Sequence, residues 1–474
     1  MPDIRYVCVS DLHLGADNSV LTHMKPNSID TDSTQPSPLM ALFVACLKEL
    51  IEQNQGQQKP TLILNGDILE LALAETNDAA MMFERFIELI FPENGEPLFD
   101  KNNILYIPGN HDHHIWEIAR ETQYVNYLDG VPPGGYFESP WHTTKMFFPD
   151  LVRGYFVTDL LQRYPHLKHT VINIVYPNYA ITSDDGQKCI IFNHGHYIEP
   201  IYSLISTLNT MVFPNRIRPK TVQELEAENF AWVDFFWSTM GRSGGAGQDI
   251  GLVYDKLQDT KQLEKLAANF SRSLSEHLSS SKLFESIDAR ILNSLLDFIL
   301  NRRTALERHQ SGQLLSIPAQ QGLKSYLEGP LLEQIRSENN QIVPADITFI
   351  FGHTHKPFSQ VMNFTGYPTG MKVYNSGGWV ADTLQPIEIF GAAAILIDET
   401  LQSTSLRLYN QSTSASGYTV RVEEATHPGA TNSLFYERIR TLVKPESDPW
   451  KTFSETAAEA VRLHEWVLQT KINL

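Results

Sequence analysis

The sequence has few cysteines, and none of them belongs to a C-x-x-C pair. Its three cysteines, Cys8, Cys46 and Cys189, are spread over 474 residues, and each lies in an apolar stretch. This distribution argues against a thiolate metal site and against a disulfide framework, and we expect three buried, reduced thiols. So few cysteines in a long chain are typical of a reducing compartment, and we expect a cytoplasmic protein.

Long apolar runs are also missing. The longest clean one, from Ile389 to Ile397, falls well short of the roughly 20 residues that span a bilayer. The first residues show no basic region followed by an apolar run of signal-peptide length. We therefore expect no transmembrane segment, while peripheral contact with a membrane stays open. The sequence says nothing about the oligomeric state.

The sequence lacks an excess of basic residues. Its 37 lysines and arginines face 55 aspartates and glutamates, which gives a net charge of −18. Nonspecific binding to nucleic acid requires a basic surface, and a nuclease would need basic residues along a strand channel. Nucleic acid is therefore disfavoured as a partner. Small anionic substrates are not excluded, because bound metal ions would reverse the local field.

Short apolar runs alternate with amphipathic segments in the first part of the chain. They predict strands at residues 4–10, 61–64 and 103–107, with helices at 38–53 and 79–90 between them. This order is typical of a parallel sheet with right-handed crossovers.

Strand character continues in two later regions. Three runs at 171–175, 179–183 and 188–192 are interpreted as antiparallel strands. Helical spacing between residues 263 and 299 predicts an insertion made of helices. Strands are then predicted at 347–351, 372–374 and 391–397, followed by helices at 432–442 and 454–469.

Five of the predicted strands each end in aspartate, asparagine or histidine. The carboxyl ends of strands in an α/β sheet form a common crevice, so side chains far apart in sequence can meet there. Imidazole, carboxylate and amide ligands without thiolate suit Mn²⁺, Fe or Zn²⁺ rather than Ca²⁺. The clusters are Asp11 with His13, Asp67, Asn110 with His111, His194 with His196, and His353 with His355.

The motifs that hold these residues are DLHLG, GDILE, GNHDHH, NHGH and GHTH, in that order. Together they resemble the signature of the calcineurin-like metallophosphoesterase family, and the resemblance covers about residues 4–193 and 346–397. It implies an α/β fold, a two-sheet sandwich flanked by helices, here with a helical insertion. It also implies hydrolysis of phosphomonoesters or phosphodiesters at two divalent metal ions, with Mn²⁺ preferred and Fe, Zn²⁺ or Ni²⁺ as alternatives.

The resemblance also implies a role for each motif residue. Asp67 would bridge both metals, and a hydroxide between the metals would attack the phosphate. His111 would donate a proton to the leaving oxygen as general acid, and Asp112 would orient His111. The ligands of the first metal would be Asp11, His13 and His355, and those of the second Asn110, His194 and His353. Two metals can supply the nucleophile and neutralise phosphate charge, and acid catalysis adds about 10²–10⁴ in rate.

Three further residues are candidate substrate contacts. His196 follows the NHGH ligand position and is either a substrate contact or a bystander. His114, like His113, either lines the cleft or begins a solvated helix. Trp379 either walls the pocket or belongs to a plain turn after the last motif strand.

The predicted domain division places the core at residues 1–198 and 343–400. The helical insertion occupies 199–342, and residues 401–474 form an extension packed on the core. The insertion carries a basic cluster of Arg216, Arg218 and Lys220, followed by aromatic residues. These could form a lid that recognises a small or lipid-linked phosphorylated substrate, a patch at a lipid interface, or the insertion's own core. The aromatic residues are Phe230, Trp232, Phe235, Phe236 and Trp237.

A binding or scaffold protein is the main rival from another functional class. Members of the family that have lost catalysis typically lack metal ligands or the catalytic histidine. Asp67, Asn110 and His111 are all present here, which favours an enzyme.

Overall fold

The computed structural model describes residues 2–213, 215–234 and 312–473. Phe235, Phe236 and Trp237, together with the predicted helices between residues 263 and 299, lie outside the described residues. No helix within the described ranges is long and apolar enough to cross a membrane. The three cysteines are buried and free, as predicted.

The described strands form two sheets, one of eight strands and one of five. Their bounds are β1 (Ile4–Val9), β2 (Thr61–Leu64), β3 (Ile104–Tyr106), β4 (Val152–Arg153), β5 (Ile172–Ile174), β6 (Asn178–Thr182), β7 (Lys188–Asn193), β8 (Asp346–Phe351), β9 (Phe358–Met362), β10 (Met371–Asn375), β11 (Gly391–Asp398), β12 (Ser403–Asn410) and β13 (Arg421–Glu423). The large sheet has the order β13-β12-β11-β1-β2-β3-β5-β4, and the small sheet has the order β6-β7-β8-β10-β9. The predicted two-sheet α/β architecture is confirmed.

Helices cover the outer faces of the sheets. Their bounds are α1 (Pro38–Ile51), α2 (Thr76–Ile90), α3 (His113–Asp129), α4 (Tyr155–Gln162), α5 (Leu204–Val212), α6 (Val222–Asp234), α7 (Ile317–Tyr326), α8 (Leu332–Glu338), α9 (Leu434–Leu442) and α10 (Trp450–Asn473). Helix α1 shows why such a segment begins where it does. The Ser37 hydroxyl accepts a hydrogen bond from the Met40 amide at 3.0 Å, and Pro38 occupies the first turn.

The period of two along the strands separates the core into layers. Cys8 and Ile63 belong to a cluster that also contains Ile190 and Ile350, so this layer is shared by the two sheets. Their neighbour Val7 faces the other way, into the cluster formed with the helices that cover the large sheet. A third cluster joins the small sheet to the described helices of the insertion.

One strand differs from the prediction. Residues 171–175 were expected to pair with the following antiparallel strands, but β5 lies in the large sheet and runs parallel to β3, with Ile172 opposite Ile104. Strands β6 and β7 do pair antiparallel, in the small sheet. The described residues of the predicted insertion are largely helical, whereas β12 and β13 of the predicted extension continue the large sheet. The exact domain boundaries stay a prediction.

Candidate metal centre

The clusters of aspartate, asparagine and histidine follow parallel strands in both sheets. β1, β2 and β3 run parallel in the large sheet, and their carboxyl ends precede Asp11, Asp67 and Asn110. β7 and β8 run parallel in the small sheet and precede His194 and His353. Because the two sheets stack on one another, these ends deliver side chains to one buried place between the loops.

The backbone at this place is unusual. Ten non-glycine residues have positive φ in the described part of the chain, and half of them are predicted metal ligands: Asp11, His13, Asp67, His353 and His355. Such conformations are disfavoured for residues with a Cβ atom and cluster at functional sites. The strain is thus concentrated where the predicted ligands are presented.

Glycines of the motifs permit the close approach of neighbouring loops. A Cβ atom on Gly109 would overlap the carboxylate of Asp67, and one on Gly352 would overlap that of Asp11. The glycines in GNHD and GHTH are therefore required by the packing of the ligand-bearing loops against one another.

Asp11, His13 and His355 form the first group of possible ligands. The Nε2 atoms of His13 and His355 lie 3.2 Å apart, and Nε2 of His355 lies 3.4 Å from Oδ1 of Asp11. One ligand atom from each residue lies within 4.8 Å of the other two, and all three side chains are buried. Two imidazoles and a carboxylate that converge in this way suit a divalent cation.

A second group contains Asp67, Asn110, His194 and His353. Nε2 of His194 lies 3.0 Å from Oδ1 of Asn110 and 3.2 Å from Oδ2 of Asp67. His353 brings a ring nitrogen within 4.8 Å of the ligand atoms of Asp67 and His194. The amide of Asn110 thus presents its oxygen, the ligand atom of an amide, to the imidazole of His194.

Asp67 lies between the two groups. Its Oδ2 atom is 3.2 Å from Nε2 of His194 and 3.9 Å from Nε2 of His13. So many buried ionisable groups are costly without compensating charge, and the donor set fits two divalent cations that share this carboxylate.

Electrostatics keep the aspartate ionised before any metal binds. Burial opposes ionisation of Asp67, but His194 and His111 outweigh it and hold its pKa well below the ordinary value. Burial favours neutral His194, but the Asp67 carboxylate overcomes this and raises the pKa of His194 to about 9. A metal ligand must be neutral imidazole, so binding of a cation at His194 would displace a proton.

His111 is held by a residue that the sequence analysis missed. Its Nδ1 atom donates to the Glu70 carboxylate, at 2.8 Å from Oε1, and Nδ1 of His13 lies 2.9 Å from Oε2 of the same carboxylate. Burial opposes ionisation of Glu70, but His111 and His13 lower its pKa below the ordinary value. Glu70 closes the GDILE motif, three residues after Asp67, and this spacing was the available signal.

Asp112 is placed differently from the expectation that it orients His111. Its Oδ2 atom accepts hydrogen bonds from the Tyr106 hydroxyl at 2.5 Å and the Ile68 amide at 2.8 Å, and its Oδ1 atom accepts one from the Gly109 amide at 2.6 Å. Burial and the nearby Asp67 raise the pKa of Asp112 to about 6. The Asp112 carboxylate thus accepts hydrogen bonds from the backbone of its own loop and stabilises the GNHD turn. The contact that orients the His111 ring comes from Glu70.

Glu199 is a second residue that the sequence analysis missed. This buried carboxylate lies at the predicted start of the insertion, and its Oε1 atom is 3.1 Å from Nε2 of His353. With Nε2 engaged in this way, Nδ1 of His353 is the nitrogen that would face a metal. Carboxylates commonly orient histidine ligands through the second ring nitrogen. No strand-end motif contains Glu199, so only the folded chain reveals the contact.

The three predicted substrate contacts occupy different environments. His196 is buried beside His194, and neither of its ring nitrogens has a hydrogen-bond partner. Burial, then His194 and His353, lower its pKa well below the ordinary value, so its ring is neutral. His114 begins α3, and its Nδ1 atom lies 2.7 Å from Glu117.

Trp379 is a core residue and does not wall the cleft. Its ring packs against Phe43 at a centroid distance of 4.6 Å and near Tyr409 and Phe453. Only its backbone reaches the site, where the Trp379 amide donates to the Asp11 carbonyl at 3.0 Å. The glycines before it turn the chain so that the indole enters the layer under α1.

The described aromatic residues of the insertion are packed as a core. Phe230 is buried and contacts the ring of His113 at 4.8 Å, while the Trp232 indole donates to the Ile201 carbonyl at 2.8 Å. Arg216 and Lys220 are exposed at the surface.

The chain is similar in sequence to a known protein family. Residues 4–239 match the family profile described as calcineurin-like phosphoesterase. No curated protein matches the chain in sequence. The matched range ends before His353 and His355, yet the structure brings both to the ligand groups formed within that range.

Proposed function

Since the chain belongs to the calcineurin-like phosphoesterase family and is thereby a metal-dependent hydrolase of phosphate esters, we propose that it acts through a dinuclear centre around Asp67. The observation that carries the proposal is the position of Oδ2 of Asp67, 3.2 Å from His194 and 3.9 Å from His13. One carboxylate placed between two groups of ligands is the arrangement that fixes the separation of two ions.

The proposed ligands are the seven residues of the two groups. Asp11, His13 and His355 would hold one ion, while Asn110, His194 and His353 would hold the other, with Asp67 shared. Bound divalent ions would supply Lewis acidity toward the phosphate and an activated water. The mixture of imidazole, carboxylate and amide favours Mn²⁺, with Fe, Zn²⁺ and Ni²⁺ as alternatives.

His111 is proposed as the general acid. Glu70 engages Nδ1 of His111 at 2.8 Å, which fixes the ring orientation and assigns proton donation to Nε2. The ionised Glu70 also stabilises the imidazolium that must exist before the proton is transferred. The leaving oxygen takes this proton as its bond to phosphorus breaks, and the neutral ring then regains a proton from water.

The substrate is proposed to be a small or lipid-linked phosphorylated molecule that the insertion recognises. One observation supports a role of the insertion at the site: Glu199 at its start contacts His353. The exposed basic residues Arg216, Arg218 and Lys220 lie further along the insertion, and Arg216 pairs with Glu228 at 3.1 Å. The buried, reduced thiols favour a reducing compartment, and we propose the cytoplasm.

The test is hydrolysis of an aryl phosphomonoester and an aryl phosphodiester by the purified protein, with and without added Mn²⁺. We expect metal-dependent turnover, and the preferred ester identifies the substrate class. His111→Ala should lose about 10²–10⁴ in turnover while it retains metal in elemental analysis. Asp67→Asn should lose metal and activity together. Full activity of Asp67→Asn would refute the shared carboxylate, and loss of metal in His111→Ala would refute its role as acid.

A further inference from the structure

A second group of possible metal ligands lies outside the centre around Asp67, where α3 meets α6 of the insertion. His114, Glu117 and Asp234, here called the α3–α6 cluster, each offer a ligand atom within 4.8 Å of the other two. Nδ1 of His114 lies 2.7 Å from Oε2 of Glu117. The three side chains are between 17% and 23% exposed, so solvent ions can reach them.

A buried imidazole lies beside the same cluster, next to Asp234. His113 is completely buried, and neither of its ring nitrogens has a hydrogen-bond partner. Its Nδ1 atom lies 3.8 Å from Oδ1 of Asp234, while its ring edge contacts Tyr176 and Phe230. A buried ring without partners is costly, and the distance to Asp234 leaves its nitrogen facing the cluster without a direct bond.

The cluster also brings two carboxyl groups together. Burial and the neighbouring Asp234 raise the pKa of Glu117 above its ordinary value. The positive charge of Arg120 favours the ionised form of Glu117, and its guanidinium lies over the Phe230 ring at 4.3 Å. Two facing carboxyl groups need either a shared proton or a cation.

We propose that the α3–α6 cluster binds a divalent transition-metal ion, with His114, Glu117 and Asp234 as ligands and His113 as the fourth donor. Imidazole and carboxylate together are suited to Zn²⁺ and related ions. Ligand atoms on one ion at bonds of about 2.1 Å lie about 3 Å apart when they meet at right angles. The separations at the Asp67 centre run from 3.0 to 3.9 Å, and the 2.7 Å contact of His114 is close to the lower end of that range.

The ion would join two parts of the chain that matter for catalysis. α3 starts directly after the GNHD turn that carries Asn110 and His111, whereas Asp234 belongs to α6. A shared ion would therefore fix the first long helix of the insertion against the segment that presents the proposed acid. Binding of an ion here does not require the Asp67 centre, because none of the ligands belongs to that centre.

The test measures bound Zn²⁺ per chain in the full-length protein, by equilibrium dialysis and elemental analysis. Glu117→Gln keeps the shape of the side chain and removes its charge, and it should bind about one ion fewer than the wild type. Glu121→Gln, an exposed position on the same helix, is the matched control and should bind as the wild type does. The loss of about one ion should recur when Glu117→Gln is combined with Asp67→Asn, which separates this site from the dinuclear centre.

Equal zinc binding by the wild type, Glu117→Gln and Glu121→Gln would overturn the proposal and leave a shared proton as the explanation. His114→Gln provides a second variant, and circular dichroism shows which variants are folded. Zinc should also raise the thermal unfolding temperature of Glu121→Gln more than that of His114→Gln, and an equal rise in both would again overturn the proposal.

Discussion

Glu70 and His111 are joined by a hydrogen bond of 2.8 Å in a site where both side chains are buried. The same carboxylate accepts hydrogen bonds from the amides of Ala72 and Leu73, which hold it in place. It also contacts the ring of His13 at 2.9 Å. A single acidic residue therefore orients both the proposed acid and a proposed metal ligand, and its charge affects both functions.

Replacement of this carboxylate by an amide tests its role. Glu70→Gln should lower turnover by roughly 10–100-fold, the range measured when carboxylate partners of metal-site histidines are removed. The amide keeps the volume but cannot accept equally well from two imidazoles or stabilise an imidazolium. Glu75→Gln, exposed at the start of α2, is the control. Unchanged turnover at saturating Mn²⁺ and substrate would show that His111 does not depend on Glu70.

Glu199 offers a second test, of the contact between the insertion and the metal ligands. Glu199→Gln should raise the Mn²⁺ concentration required for half-maximal turnover by roughly 10–100-fold, because His353 loses the partner of its Nε2 atom. Maximal turnover at saturating metal should fall much less. Glu333→Gln, on an exposed position of α8, should leave the metal dependence as it is. A fall in maximal turnover alone would mean that Glu199 does not act through the metal.

The positions of the proposed ligands could be predicted because two local signals coincide at them. A short apolar run predicts each strand, and aspartate, asparagine or histidine follows where the run ends. Glu70 is marked only by its spacing from Asp67 in the GDILE motif, and Glu199 lies in no strand-end motif. Each acquires its role by contact with a histidine from another loop. The sheet to which β5 belongs could not be predicted either, because the sequence of a strand of three residues does not show which sheet it joins.

Strand β12 is a second element that the pattern of apolar residues does not predict. Its sequence STSLRLYN is rich in polar residues, yet all eight residues are buried. β11 pairs with it on one side and β13 on the other. The helices α9 and α10 lie later in the chain. Burial of Arg407 is made possible by Glu423 of β13, whose carboxylate lies 2.6 Å away. The polar composition of this segment therefore gave no indication of a buried strand inside the sheet.

Replacement of Trp379 tests whether this residue belongs to the hydrophobic core or to the wall of the substrate pocket. Trp379→Ala should lower the free energy of unfolding by about 3–5 kcal/mol, because it leaves a large cavity beside Phe43. The KM for the preferred ester should stay unchanged, since the indole does not reach the cleft. Trp466→Ala, at a position that is 47% exposed on α10, should change stability little. Urea unfolding gives the first quantity and steady-state kinetics the second; a raised KM with unchanged stability would restore the role as a substrate contact.

Glu226 predicts a dependence of stability on pH. This carboxyl group on α6 is completely buried and accepts hydrogen bonds from Tyr176 and Tyr197 at 3.1 and 3.2 Å. Burial raises its pKa to about 8, although the two hydroxyls oppose this, from an ordinary value of 4.5. Between these two values the folded protein retains a proton that the unfolded chain has lost. The contribution of protonated Glu226 to the free energy of unfolding is thus fully present below about pH 4.5 and is lost as the pH rises through 8.

Glutamine is the neutral isostere of glutamate, so the variant Glu226→Gln separates the titration of Glu226 from that of every other group. Glu226→Gln and the wild type should respond to urea similarly well below pH 4.5, where the carboxyl group is protonated in both the folded and the unfolded state. Toward pH 9 the variant should become more stable than the wild type by a few kcal/mol, because each unit of pKa shift corresponds to about 1.4 kcal/mol. Glu459→Gln, exposed on α10, should show no such divergence. A difference between Glu226→Gln and the wild type that does not change with pH would mean that Glu226 is ionised in the folded protein, and the α6 helix would then need a buried cation beside it.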